Sequence, residues 1–295
     1  MNETAINPFL AVLSTWRSYF TDYYEGLGTT YERVLLHKIF HQLDAQYAIG
    51  SVLEIPSFGM TGVSGINSMW WAKQGKAVTV VDNNKERLSL IRRVWAEVGL
   101  TANIMYHANF DVLPFNNLQF DLSWNFAALW FVPDVAAFAR ELRRVTRHII
   151  LISVPNHTGW GYRLREKYAE NLEGIYVENI RPQAVISNFA QEDWQLVDQG
   201  LFDVPPWPDI AMKKEDLLKK LGLAPLLRWW GARHSSQKPS ANSANTIVDF
   251  YAGRAPELEQ EILRFAFLEN APQFFKKVWA HHRYFVFARW PGGEQ

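Results

Sequence analysis

Short β-rich runs alternate with amphipathic helical runs through the first half of this chain, and that alternation limits the fold more than any other feature. SVLEI (Ser51 to Ile55), AVTVV (Ala77 to Val81), ANIMYH (Ala102 to His107), FDLSWNF (Phe120 to Phe126) and HIILISV (His148 to Val154) read as strands. Helical patterns fall between them, through Met69 and Ala72, over Lys85 to Val98 and over Pro133 to Val145. Strands that are continuous apolar runs, separated by helices, predict a parallel sheet covered on both faces: an α/β, doubly wound fold. Ahead of the first strand, Val34, Leu35, Ile39, Phe40 and Leu43 recur at helical spacing.

The second half is less regular. Helical signals run over Gly161 to Leu172 and Pro182 to Gln191, and WQLVDQGLF (Trp194 to Phe202) reads as a strand. Two or three helices are expected between Lys213 and Trp230, then a polar loop from His234 to Asn245. A helical stretch, Thr246 to Val278, is broken near Pro256 and Pro272, and HRYFVFAR (His282 to Arg289) is the last strand. No internal repeat is visible.

Composition narrows the function classes. Thirty basic residues balance thirty acidic ones in 295, so the chain offers no net field for a nucleic-acid backbone or an anionic membrane. It contains no cysteine, which excludes disulfides, thiolate metal sites and a cysteine nucleophile. The longest uncharged run, Ile55 to Ala72, has the length of a membrane span, but its proline, glycines, serines and Asn67 suit a ligand loop. The opening MNETAINPFL has no basic segment followed by an apolar one. A cytoplasmic protein without nucleic-acid partners or stable membrane association is expected; no oligomeric state follows.

Ligands of an open parallel sheet bind beyond the carboxyl ends of its strands. Glu54 and the loop Pro56 to Gly62 follow the first strand, where Gly59 and Gly62 allow close backbone approach and a helix start favours an anionic group. Asp82, with Asn83 next to it, ends the second strand about 20 residues past the loop glycines, the place of a carboxylate that accepts from ribose hydroxyls. Asn109, before Phe110, can pair with an adenine edge. Together they describe an adenosine site, which a nicotinamide-dependent oxidoreductase would fit about as well.

The ordered series SVLEI, glycine loop, VTVVD, HANFDVLPF, FDLSWNF and ELRRVTRHIILISVPN resembles the class I S-adenosylmethionine-dependent methyltransferases, nearest the group called methyltransferase type 11. Leu113-Pro114-Phe115, Phe120-Asp121-Leu122, Arg143-Arg144-Val145 and Val154-Pro155-Asn156 stand at matching places, and YFVFAR is similar to the family's antiparallel last strand. Two departures stand out: Pro56 replaces the first glycine of the usual loop, and Asn109 replaces the usual acid. The resemblance implies a Rossmann-like doubly wound seven-stranded sheet, last strand antiparallel, with N-terminal helices and a helical lid insertion. The corresponding units are an N-terminal cap (1–48), a core (49–204 and 279–291) and an insertion (205–278). It implies S-adenosyl-L-methionine held by Glu54, Gly59, Gly62, Asp82, Asn83, Asn109, Phe110 and Asn125, with Phe110 packed on adenine. Two alternatives remain open, a non-catalytic adenosine-ligand-binding regulator and an NAD-dependent oxidoreductase.

If the last strand is antiparallel, its start meets the ends of strands 4, 5 and 6. His157 and His282 are then candidate general bases, and Asn156, Trp160, Trp207 and His281 candidate contacts for a small apolar or aromatic acceptor. No metal is expected. His37 and His41, four residues apart, read as a solvated helix face, and Asp121, at the start of strand 4, as structural. The tryptophans either line the acceptor site or pack helices.

Overall fold

The computed structural model describes residues 23–57, 65–163, 174–191, 193–205 and 247–290, with side chains from Thr30 onward. Helix α1 (Tyr23–Tyr47) leads into β1 (Ser51–Glu54), α2 (Met69–Lys73), β2 (Ala77–Asp82), α3 (Lys85–Val98) and β3 (Asn103–Tyr106). Strand β4 (Phe120–Phe126), α4 (Val135–Val145), β5 (Thr146–Pro155), α5 (Pro182–Phe189) and β6 (Trp194–Phe202) follow. Helices α6 (Ile247–Tyr251), α7 (Leu258–Leu263) and α8 (Gln273–Trp279) then precede β7 (His282–Arg289). The helical stretch before β7 breaks near both prolines, because proline removes an amide donor and clashes with the preceding turn.

The seven strands run in the order β3-β2-β1-β4-β5-β7-β6. β3, β2, β1, β4 and β5 are mutually parallel, and β7 lies antiparallel between β5 and β6. Strand order reverses between β1 and β4, which sets the ligand crevice at their carboxyl ends. Capping follows local chemistry. Asn84 accepts from the Arg87 amide to open α3, and Gly99, at φ +79°, closes it. Asp134 likewise accepts from the Ala137 amide at the start of α4. Asp121 is a fastener at the amino end of β4, accepting from the Gly50 amide and from the Ser51 amide and hydroxyl while pairing with Arg147.

Alternate residues of each strand fill two cores. Val52, Val80, Leu122, Trp124 and Leu151 pack under α1, α2 and α3; Leu53, Val81, Ile150, Ile152 and Phe285 pack under α4 and α5. α6 and α7 lie against α1, and Ile247, Phe250, Leu258 and Ile262 join the first core. That part of the expected lid is therefore a core layer, its apolar side chains claimed by α1; residues 206–246 lie outside the described residues. His37 corrects the reading of a solvated helix face. It is fully buried, with Nδ1 3.2 Å from Glu259 Oε1 and Nε2 2.8 Å from the Tyr251 hydroxyl, and burial lowers its pKa. His41 is exposed, edge-on to Trp70. No helix among the described residues is long and apolar enough to cross a membrane.

Candidate active site

The carboxyl edge of the sheet gathers most of the residues expected there. Glu54 ends β1, 1% exposed, and its Oε2 accepts from the Ser68 amide at 3.2 Å. Burial pushes this carboxyl up to about 7, against hydrogen bonds from Ser68 and the charge of Arg33, which act to lower it. The Ile55–Pro56 peptide that follows is cis. Asp82 ends β2, completely buried. Its Oδ1 accepts from the Asn84 amide at 2.8 Å and from Arg87 Nε at 3.0 Å, and its Oδ2 accepts from the Ser57 hydroxyl at 2.6 Å. Three of the roughly four acceptor positions of a carboxylate are thus occupied. The Ser57 hydroxyl takes the kind of bond a ribose hydroxyl would make.

Asn125, in β4 beside the switch point, is fully buried, and neither its amide nitrogen nor its amide oxygen has a partner among the described residues. A buried amide without partners carries a desolvation cost of about 1–3 kcal/mol, which a polar ligand at the head of β4 would remove. This is the observation by which the crevice fits an adenosine-type cofactor. The other expected contacts are placed less uniformly. Asn83 and Asn109 are exposed, and Asn109 Oδ1 accepts from the Asp111 amide in a local turn. Phe110 is 5% exposed and packs in the second core, 6.2 Å from Phe138, so its ring is committed to helix α4 and not to an adenine face. Gly59, Gly62 and Trp207 lie outside the described residues.

At the other side of the crevice, β7 begins where β5 and β6 end: His282 is in register with Pro155 and with Phe202. His282 is buried against Phe126 and Phe202, at ring distances of 4.7 and 5.6 Å. Asp203, following β6, accepts on Oδ2 from both neighbours, 3.0 Å from His281 Nδ1 and 3.2 Å from His282 Nδ1. Burial works to raise the Asp203 carboxyl, but the charges and hydrogen bonds of His281 and His282 outweigh it and hold the group below the usual carboxylate range. His157 lies partly buried two residues beyond β5, and Trp160 is 62% exposed.

Asn156 differs from the expected substrate contact. Its Nδ2 donates to the Lys277 and Ala280 carbonyls, and its Oδ1 accepts from the Thr158 amide and hydroxyl. Both polar atoms of that amide are occupied within the protein, and Nδ2 clamps the end of β5 to the end of α8. Trp124 and Trp130 are buried, with indole nitrogens bonded to Ser68 Oγ and to the Ala127 carbonyl; both pack the core. Glu32, Arg33, Arg87 and Asp203 were not legible as site residues. Arg87 alone left a trace, five positions after Asp82 on the helix that opens there.

Residues 59–149 match the family model for a methyltransferase domain. No curated protein matches the sequence. Among solved structures, the chain is similar to the YcgJ protein of Bacillus subtilis, with 14% identity, TM-score 0.46, and coverage of 87% of this chain and 100% of that one. It is also similar to the MccD protein, with 14% identity, TM-score 0.48, and coverage of 84% and 95%. A third is an S-adenosylmethionine-dependent methyltransferase from Aquifex aeolicus, with 15% identity, TM-score 0.34, and coverage of 40% and 63%. These three likenesses are distant. The match over residues 59–149 and the strand order support a class I methyltransferase domain, and that family implies S-adenosylmethionine as the cofactor.

Proposed function

We propose that this protein transfers a methyl group from S-adenosylmethionine to a small apolar or aromatic acceptor in the cytoplasm. The observation that carries the reading is Asn125, a buried amide without partners among the described residues at the head of β4, between the acidic ends of β1 and β2 and the aromatic start of β7. When bound, the cofactor supplies an electrophilic sulfonium methyl group; the protein's part is alignment and a dry surrounding. Asp82 accepts from the ribose, Glu54 and Asn125 face the polar end, and Phe126 with Phe202 forms the apolar wall on the acceptor side. Asn83, Asn109 and the loop glycines complete the cofactor side; His281 and Trp160 flank the acceptor.

An acceptor that loses a proton needs a base that can pass it on to water. His157 is partly exposed, whereas His282 is 3% exposed with a ring nitrogen on Asp203. The base role therefore goes to His157. His157→Gln is expected to lower turnover at least tenfold and leave cofactor affinity unchanged; full activity in that variant removes the assignment.

Parallel calorimetric titrations with S-adenosylmethionine, S-adenosylhomocysteine and NAD test the reading. Micromolar binding of the two sulfur ligands without NAD supports it. Binding of NAD alone replaces it with the oxidoreductase, and binding of none points to a regulator that has kept the fold.

A further inference from the structure

Three segments far apart in sequence bring a histidine and two carboxylates to one buried point. Glu32 comes from α1, Asp203 from the turn after β6 and His282 from the first position of β7. One ligand atom from each lies within 4.8 Å of the others, and all three residues are buried. We propose that Glu32, Asp203 and His282 form a binding site for a divalent transition-metal cation beside the acceptor side of the crevice.

The geometry is close to what such an ion requires. Nitrogen and oxygen donors about 2.1 Å from a common ion lie roughly 3.0 to 3.5 Å from one another, and the Asp203–His282 pair stands at 3.2 Å. The surroundings fix the donors. Asp203 is held by His281, both through the imidazole and by the His281 amide on its carbonyl. Tyr31, next to Glu32, donates to the Val204 carbonyl and to Glu269, which joins α1 to the turn that carries Asp203. Glu32 Oε1 also pairs with Arg33 at 2.7 Å. Charge is consistent as well. Arg33 pairs with Glu32 and His281 pairs with Asp203, and a cation ligated by His282 would bridge the two carboxylates. Ser153, one ladder step along the same sheet face, has a buried hydroxyl without a partner among the described residues, a ready acceptor for a metal-bound water.

The donor set selects the ion. One imidazole and two carboxylates, in a chain without cysteine, suit zinc, manganese or ferrous iron better than magnesium or calcium, which favour oxygen ligands alone. Three protein ligands leave a coordination position for a further oxygen or nitrogen. If the methyl-transfer reading holds, on which this last step rests, an ion held by His282 would sit beside the acceptor wall, since the Phe126 and Phe202 rings lie 4.7 and 5.6 Å from the His282 ring. The open coordination position favours an acceptor with an oxygen or nitrogen donor, whose proton the ion would make easier to lose.

The test uses the full chain, stripped with a chelator and dialysed, then titrated with Zn²⁺ and separately with Mn²⁺, the second followed by electron paramagnetic resonance. One ion per chain at micromolar or lower concentration is expected, with affinity at least 100-fold weaker in Asp203→Asn and in His282→Gln. His148→Gln, at an exposed histidine across the sheet from this point, should bind as the native chain does. Glu32→Gln serves if either of the first two fails to fold by circular dichroism. No binding to the native chain, or equal binding in native and ligand-replaced chains, overturns the site. S-adenosylmethionine titrated into the same samples reports on the cofactor separately: loss of that binding with ion binding intact overturns the methyl-transfer reading and leaves the cation site standing.

Discussion

Asp82→Ala is expected to weaken S-adenosylmethionine binding at least tenfold and to cost about 3–5 kcal/mol of folding stability. The two effects have different origins. The binding loss would come from the carboxylate at the end of β2, to which the proposed function gives the ribose hydroxyls. The stability loss comes from Arg87, 8% exposed, whose guanidinium stays buried when its carboxylate is removed. Burial already lowers the pKa of Arg87, and Asp82 is what opposes it. A double variant separates them. Asp82→Asn with Arg87→Met removes both charges at similar volume, so urea unfolding should recover most of the stability while calorimetry still shows weak cofactor binding. Ser57 sharpens the argument, because its hydroxyl occupies the Asp82 Oδ2 position that a ribose hydroxyl needs. Ser57→Ala should therefore keep cofactor affinity or raise it a few-fold. A folded Asp82 variant with native affinity, or a Ser57→Ala loss as large as that of Asp82→Ala, would remove Asp82 from the cofactor site.

The sheet was legible because its signals are local. β1, β2 and β5 carry clusters of aliphatic residues, β4 alternates Phe120, Leu122, Trp124 and Phe126 with polar residues, and β7 begins and ends at the residues read as HRYFVFAR. The adjacency of the β7 start to the ends of β5 and β6 followed from one assumption, antiparallel β7, which the register of His282 with Pro155 and Phe202 bears out. What stayed hidden depends on contacts between distant segments. Asn156 and Phe110 look like site residues from their position after a strand, but the first clamps α8 and the second fills a core. Nothing in the order of residues says that Lys277, Ala280 or Phe138 will reach them. Glu32, on a helix legible only through the apolar spacing of Val34 to Leu43, meets Asp203 and His282 because α1 passes the end of β6 and the start of β7. His37 is misleading for the same reason: α6 and α7, more than 200 residues later, cover the face that looked solvated.

Glu54→Gln should make the protein more stable at pH 8 by up to about 3 kcal/mol and leave it nearly unchanged at pH 4. The sign follows from burial. The folded Glu54 carboxyl is raised to about 7 from an ordinary 4.5, so between those values the native state holds a proton that the unfolded chain has released. Its contribution is fully present below pH 4.5 and is lost as pH rises through 7, at about 1.4 kcal/mol per pH unit. Glutamine keeps an acceptor for the Ser68 amide and carries no charge, so the gap between native and variant chains should open as pH rises, read by urea unfolding at several pH values. A gap that does not change with pH would show that Glu54 takes up its proton equally in the folded and unfolded chains and is not raised by burial. The same carboxyl links pH to the cofactor. A sulfonium cation near Glu54 favours its ionised form, so S-adenosylmethionine should bind more tightly at pH 8 than at pH 6 and release up to one proton as it binds. In Glu54→Gln that proton release should disappear, and the pH dependence of affinity should flatten with it. A variant that keeps the native pH dependence would place the linked proton on another group and take Glu54 away from the sulfonium.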